Sequence, residues 1–217
     1  MNKVFFTICS FVFLTFSLAA LEKPWYSADA NQLAAKLPER VKKIPSTNTS
    51  FVTFDGKKDH LAVPQLTELP EQFTWLAWIY PEKQLQNGLI ICKPGWHNMF
   101  YVRSNDKLAF GIFNTKKKFQ TFQSYERVQL RQWQLAAVVF DGKSICLYLN
   151  DENVLGKLYN DKIFSVKSYY IIGATLPNAD SKNRFSGRMN GIRIWNKALT
   201  PAEIAKIFAD EKKQYGL

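Results

Sequence analysis

FTWLAWIYP, residues 73–81, is apolar on both of its faces. Side chains on a strand alternate between the two sides of the sheet, so a half-exposed strand alternates apolar with polar residues. This run does not, and it suits a central strand covered above and below. The runs on either side have related texture. In SFVTFDG (residues 50–56), Phe51, Thr53 and Asp55 share one face and Val52 and Phe54 the other. LIICK, MFYVRS, KLAFGIFN, QTFQSYERV, QLAAVVFDG, SICLYLN, SYYIIGA and SGRMNGIRIWN follow between residues 89 and 196. All are rich in aromatic and β-branched residues. The turn pairs Asn105-Asp106, Asp141-Gly142 and Asn150-Asp151 separate them. About ten such strands with no helices between them exclude a parallel βαβ sheet and predict two packed antiparallel sheets.

The strand series ends at Asn196. Thr200, Pro201 and Glu203 then form a capping-box pattern with proline at the first helical position. Ile204, Ile207 and Phe208 give the following short helix an apolar stripe to dock on the sandwich. Residues 1–19 have the layout of a secretory signal peptide: a positive start at Lys3, an apolar run, then Ser17 and Ala19 before the next charges. The expected location is therefore secreted, periplasmic or extracellular. The apolar run is short for a membrane span, and no second one is long enough. Residues 20–50 read as a lead-in, with one short helix before Pro38 and a polar linker at 45–50. Residues 51–217 read as the sandwich domain.

The 217 residues are 47% hydrophobic and 15% aromatic, enough for a full core, which excludes disorder over most of the chain. The formal net charge of +11 favours acidic partners in general, but its lysines are spread along the chain, as solubility alone requires. Cys92 and Cys146 each sit in a strand-like run. They are compatible with one bridge or with two buried free thiols.

In order along the chain, four segments carry a resemblance: FVTFDGKKDHLAVP (51–64), FTWLAWIYPEK (73–83), WQLAAVVFDGKSICLYLND (133–151), and IIGA (171–174) followed by FSGRMNGIRIWNKALTPAEI (185–204). Together they resemble the laminin-G-like jelly-roll domains of the concanavalin A-like lectin and glucanase superfamily. The resemblance implies an all-β, two-sheet antiparallel jelly-roll sandwich. It also implies that Trp75, Trp78, Trp133 and Trp195 are packing residues. The departures matter. The pentraxin disulfide positions align with Leu76 and Ala136, so Cys92 and Cys146 are not that pair. No run of alternating carboxylates of the glucanase type exists. Asn190 stands where an aspartate is common, which weakens any transfer of calcium binding. Asp180 in the loop LPNADSKNR (176–184) is alone, and one aspartate makes a poor oxygen cage. No cofactor is expected.

Catalytic candidates are few. Asp151 and Glu152 are adjacent, and adjacent side chains on a strand or turn point apart. Asp55, Asp59 and His60 read as a turn with solvated side chains. The chain is expected not to be an enzyme. Two stretches carry binding candidates, because sugar CH faces stack on aromatic rings and hydroxyls need amide or charged partners. The first is KPGWHN (93–98), offering Trp96, His97 and Asn98 in a Pro/Gly turn, unless Trp96 folds back onto the core edge. The second is NTKKKFQTFQSY (114–125), offering Lys117, Phe122 and Gln123. Phe119, Thr121 and Gln123 share one of its faces, and Gln120, Phe122 and Ser124 the other. The bland alternative is an edge strand whose lysines discourage pairing. The expected partner is a glycan or glycoconjugate, favouring an anionic one. A cell-surface protein is the alternative. Nucleic acid is not expected.

Overall fold

The computed structural model describes residues 21–30, 32, 37–94 and 98–217. The leader-like segment 1–19 and the helix expected before Pro38 fall, wholly and for the most part, outside them. Among the described residues the strands make two antiparallel sheets, one eight-stranded and one six-stranded. No described helix is long and apolar enough to cross a membrane.

The larger sheet is centred on β5 (Phe73–Pro81), flanked by β10 (Gln134–Phe140) and β14 (Ser186–Trp195). It runs from β12 (Glu152–Leu158) through β11 (Ser144–Leu149), β10, β5, β14 and β3 (Ser50–Asp55) to β2 (Val41–Lys43), with β1 (Tyr26–Ala28) pairing beside β14. The smaller sheet runs β4 (Leu61–Val63), β13 (Tyr170–Ile172), β6 (Asn87–Lys93), β7 (Asn98–Arg103), β8 (Lys107–Phe113) and β9 (Phe119–Arg127).

The doubly apolar reading of residues 73–81 is what the packing uses. Phe73, Trp75, Ala77 and Ile79 enter the core between the sheets, where Trp75 meets Phe73, Phe110 and Tyr170 at 5.1–5.6 Å between ring centres. Leu76 and Trp78 enter a second core on the outer side of the larger sheet, beneath the C-terminal helix α1 (Pro201–Glu211). Trp78 stacks on Tyr215 at 4.0 Å and donates its indole N–H to Glu211. Thr74, the one aliphatic hydroxyl in the run, donates to the Lys197 carbonyl and accepts from the Leu199 N–H, pinning the approach to α1. The capping box forms as its sequence spells it: Glu203 N–H donates to the Thr200 hydroxyl, and Thr200 N–H to the Glu203 carboxylate. Trp133 and Trp195 also pack in this outer core.

The lead-in is not a tether. Its residues 41–43 pair with β3, so the polar stretch 45–50 is largely the turn of a hairpin rather than a linker. Asn190 fastens the N-terminal side: its side-chain oxygen accepts from Ala30 N–H and its amide donates to the Tyr215 hydroxyl, both at 2.9 Å. The position that could have carried a calcium-ligating carboxylate is a buried strut. Short polar strands such as Val41–Lys43 have no apolar period to betray them, which is why residues 20–50 read as separate from the domain.

Cys92 lies in the smaller sheet and Cys146 in the larger, and both are free thiols. Cys92 belongs to a cluster outside the central core, while Cys146 packs toward the α1 side. The sandwich separates them. Burial pushes both thiols above their ordinary range. The positions aligned with the pentraxin disulfide are one residue out of register, since Leu76 opposes Ala137 and Ala136 opposes Ala77.

Candidate functional site

The sequence candidates do not converge. Trp96 and His97 lie outside the described residues. Asn98 opens β7 and is fully buried; its amide donates to the Phe164 carbonyl at 3.2 Å, so the side chain braces a loop instead of facing solvent. Lys117 is exposed in the turn between β8 and β9, in a left-handed conformation at φ 59°. Phe122 points inward, packing edge-on against Tyr159 at 5.7 Å. Gln123, its neighbour on the strand, necessarily points the other way, and is exposed.

The open face of β9 is therefore that of Phe119, Thr121, Gln123 and Tyr125. Among the described residues β9 is the last strand of its sheet and pairs only with β8. Phe119 is 42% and Tyr125 64% exposed. Six residues of strand place them about 20 Å apart. Phe119 lies over Gly111, where an added Cβ would come within 2.8 Å of the ring, and its ring centre is 5.0 Å from that of Phe113. Glycine in β8 is what lets that ring lie down on the sheet. Gln123 accepts from Arg103 at 3.3 Å and from Asn105 at 3.4 Å, and its NH2 makes no hydrogen bond to a described residue. Ser124 turns inward, accepting from Leu108 N–H and donating to the Glu126 carbonyl, and so closes the irregularity where β9 loses register with β8.

Cations flank this face at both ends: Lys116, Lys117 and Lys118 beside Phe119, and Arg103, Lys107 and Arg127 beside Tyr125. None forms an ion pair with a described residue. Asp106 and Glu126 are the acids nearest the Tyr125 end. Arg103, Asn105 and Tyr125 were not among the sequence candidates. Tyr125 closes the stretch 114–125, but Arg103 and Asn105 reach the face from β7 and the turn after it, and only the sheet register reveals that.

The acidic candidates are committed elsewhere. Burial opposes ionisation of Asp55, but the N–H groups of Lys57, Lys58 and Asp59, with Arg40, hold its carboxyl below the usual range. Asp59 is buried against Arg40 at 3.2 Å, and the His60 ring contacts the Lys58 carbonyl. Asp151 is exposed in the turn between β11 and β12, and Glu152 is exposed at the start of β12. In the loop 176–184, the carbonyls of Pro177, Ala179 and Lys58 converge on buried Arg184 at 2.6–3.1 Å. A guanidinium thus fills the place where carbonyl oxygens would gather around a metal ion. No group of three or more His, Cys, Asp or Glu side chains is placed to hold a metal among the described residues.

A laminin-G-like family model, described as the concanavalin A-like lectin/glucanases superfamily, matches residues 55–205. The chain belongs to this superfamily. No curated protein matches its sequence. Solved structures share its fold at low identity. The binding domain of Paraclostridial Mosquitocidal Protein 1 is 15% identical with a TM-score of 0.63, covering 79% of this chain and 46% of that one. The ligand-binding domain of botulinum neurotoxin serotype D, in complex with N-acetylneuraminic acid, is 14% identical with a TM-score of 0.62, covering 86% and 46%. Domain 4 of an extracellular arabinanase from Geobacillus stearothermophilus, in complex with arabinotriose, is 15% identical with a TM-score of 0.61, covering 77% and 80%. The chain spans less than half the length of the two toxin structures.

Proposed function

We propose that this chain is a non-catalytic carbohydrate-binding module, exported from the cytoplasm, that lays an extended anionic glycan along the outward face of β9. The observation that carries the reading is the pair of exposed rings, Phe119 and Tyr125, on one strand face with the fixed amide of Gln123 between them. Rings left in water at such exposure on a superfamily sandwich fit stacking against sugar CH faces. The spacing fits an oligosaccharide rather than one sugar unit. The cations at both ends of the face select for carboxylate or sulfate groups, and their attraction weakens as salt screens it. The superfamily neighbours that carry N-acetylneuraminic acid and arabinotriose support the ligand class. Export rests on the leader-like residues 1–19, and the non-catalytic role on the structural commitments of Asp55, Asp59 and the isolated pair Asp151 and Glu152.

A second reading is favoured by one feature: β9 ends its sheet, with β8 as its one paired strand among the described residues. A partner protein's strand would add to it. A glycan array separates the two. Retention of acidic oligosaccharides, falling as salt rises from 50 to about 500 mM, supports the first reading. Silence across the array, with capture of a cell-surface protein that survives high salt, supports the second.

A further inference from the structure

A cleft of about 430 Å³ opens at the end of the sandwich nearest Phe119, away from the outward face of β9. Three connections form it: residues 69–71 before β5, the turn between β10 and β11, and residues 160–165 after β12. Phe140, Leu69 and Ile163 give it apolar surface, and Glu71, Asn160 and Asp161 give it polar groups. Its size lies in the range of pockets that enclose small molecules.

The cleft is braced at unusual cost. Lys93 is fully buried and pairs with no carboxylate among the described residues. Burying a cation without a counter-charge is expensive unless its hydrogen bonds are satisfied. Its ammonium donates to the Thr67 carbonyl at 2.8 Å and the Ser168 carbonyl at 2.7 Å, and lies 4.5 Å from the centre of the Tyr170 ring. Those two carbonyls belong to the two long connections whose other residues form facing walls. Ser168 N–H donates to the Thr67 carbonyl, and the Tyr170 hydroxyl to that of Glu68, joining the same two segments. The 160–165 wall is also stitched to the turn before β9: Thr115 N–H donates to the Lys162 carbonyl, and the Asn114 amide to Asp161 at 3.0 Å. Buried Asn98 holds the Phe164 carbonyl. Against this rigidity, the side chains of Glu71 and Asn160 make no hydrogen bond to a described residue, and Asp161 keeps one carboxylate oxygen unengaged. Fixed walls with idle polar groups describe a site shaped before its ligand arrives.

We infer that this cleft is a second binding site, specific for a neutral pentose or hexose unit, resting on the carbohydrate reading above for its ligand class. The apolar floor takes the CH face of the ring. The carboxylates of Glu71 and Asp161 accept hydrogen bonds from adjacent hydroxyls, and the Asn160 amide donates to a ring or hydroxyl oxygen. Two carboxylates against the single cation of Lys162 disfavour the acidic sugars suited to the β9 face. One module would then read two chemically different parts of a glycan.

The test is a backbone amide NMR titration of the protein with L-arabinose, D-xylose, D-galactose and D-glucose, beside N-acetylneuraminic acid. The expected result is saturable movement of the Gly142, Asn160 and Asp161 amides with at least one neutral sugar. Glu71→Ala combined with Asn160→Ala weakens that binding at least tenfold, while Phe119→Ala leaves it unchanged. Both replaced side chains are exposed, and unchanged spectra elsewhere verify folding. The inference is overturned if no neutral sugar saturates these amides, or if the double variant binds as well as the parent. Movement of Thr121 and Gln123 with N-acetylneuraminic acid and a silent cleft would remove this site and leave the β9 reading standing.

Discussion

β5 and β9 are both nine residues long, both rich in aromatics, and opposite in fate. In β5 every residue but Tyr80 is buried; in β9 only Ser124 is. The difference is one of position more than composition. β5 has a neighbour on each side, a facing sheet on one face and α1 on the other, so its rings are spent on the fold. β9 has one paired strand among the described residues and one covered face, so Phe119 and Tyr125 are left over for a partner. The larger sheet is sealed outside by α1 and the docked lead-in, and the smaller sheet's edge is where recognition has room.

This contrast can be attacked residue by residue. Trp78→Ala removes the stack on Tyr215 and the bond to Glu211, and should cost about 3–5 kcal/mol in urea unfolding. A loss under about 1 kcal/mol would mean that the outer core is not structural. Asn190→Ala leaves Ala30 N–H without its buried acceptor and should cost about 1–3 kcal/mol, with increased amide exchange around residues 26–30. Thr200→Ala removes one half of the capping box and should cost about 1 kcal/mol by thermal unfolding. Tyr125→Ala should change stability by less than about 0.5 kcal/mol and yet weaken glycan binding.

Lys93 offers a test of different kind. Burial lowers its pKa to about 8, with Glu68 partly opposing the shift. The unfolded chain keeps its ordinary lysine value, near 10.4. Between these two values the unfolded state binds the proton more tightly than the native one, so stability attributable to Lys93 rises with pH through that window. Compared with Lys93→Met, the parent should therefore gain stability from about pH 8 to pH 10.4 and be flat below pH 7. A parallel pair of pH profiles would refute the buried charge.

How far these outcomes could be foreseen from the residues differs by region. Residues 73–81 announce a doubly covered strand because no polar period interrupts them, and Thr200-Pro201-Ala202-Glu203 spells its own cap. The alternation along β9 separates its two faces, but not which one is open; that depends on β8 lying beside it and Tyr159 beneath it. Phe122 and Gln123 lie on opposite faces by that alternation, so only one of the two candidates is displayed. Asn98 looked displayed because it follows a Pro/Gly turn, but the first residue of a strand can as easily turn inward. The cleft is invisible in the sequence because its residues come from three connections far apart in the chain, and nothing in KPGWHN (93–98) tells that Lys93 turns inward to Thr67 and Ser168.

The most direct test of the central claim is isothermal titration of an array-selected acidic oligosaccharide into the parent and into Phe119→Ala/Tyr125→Ala. The open-face account predicts at least a tenfold loss of affinity in the double variant with no more than a small change in its unfolding temperature. Equal affinity in the two proteins would contradict it.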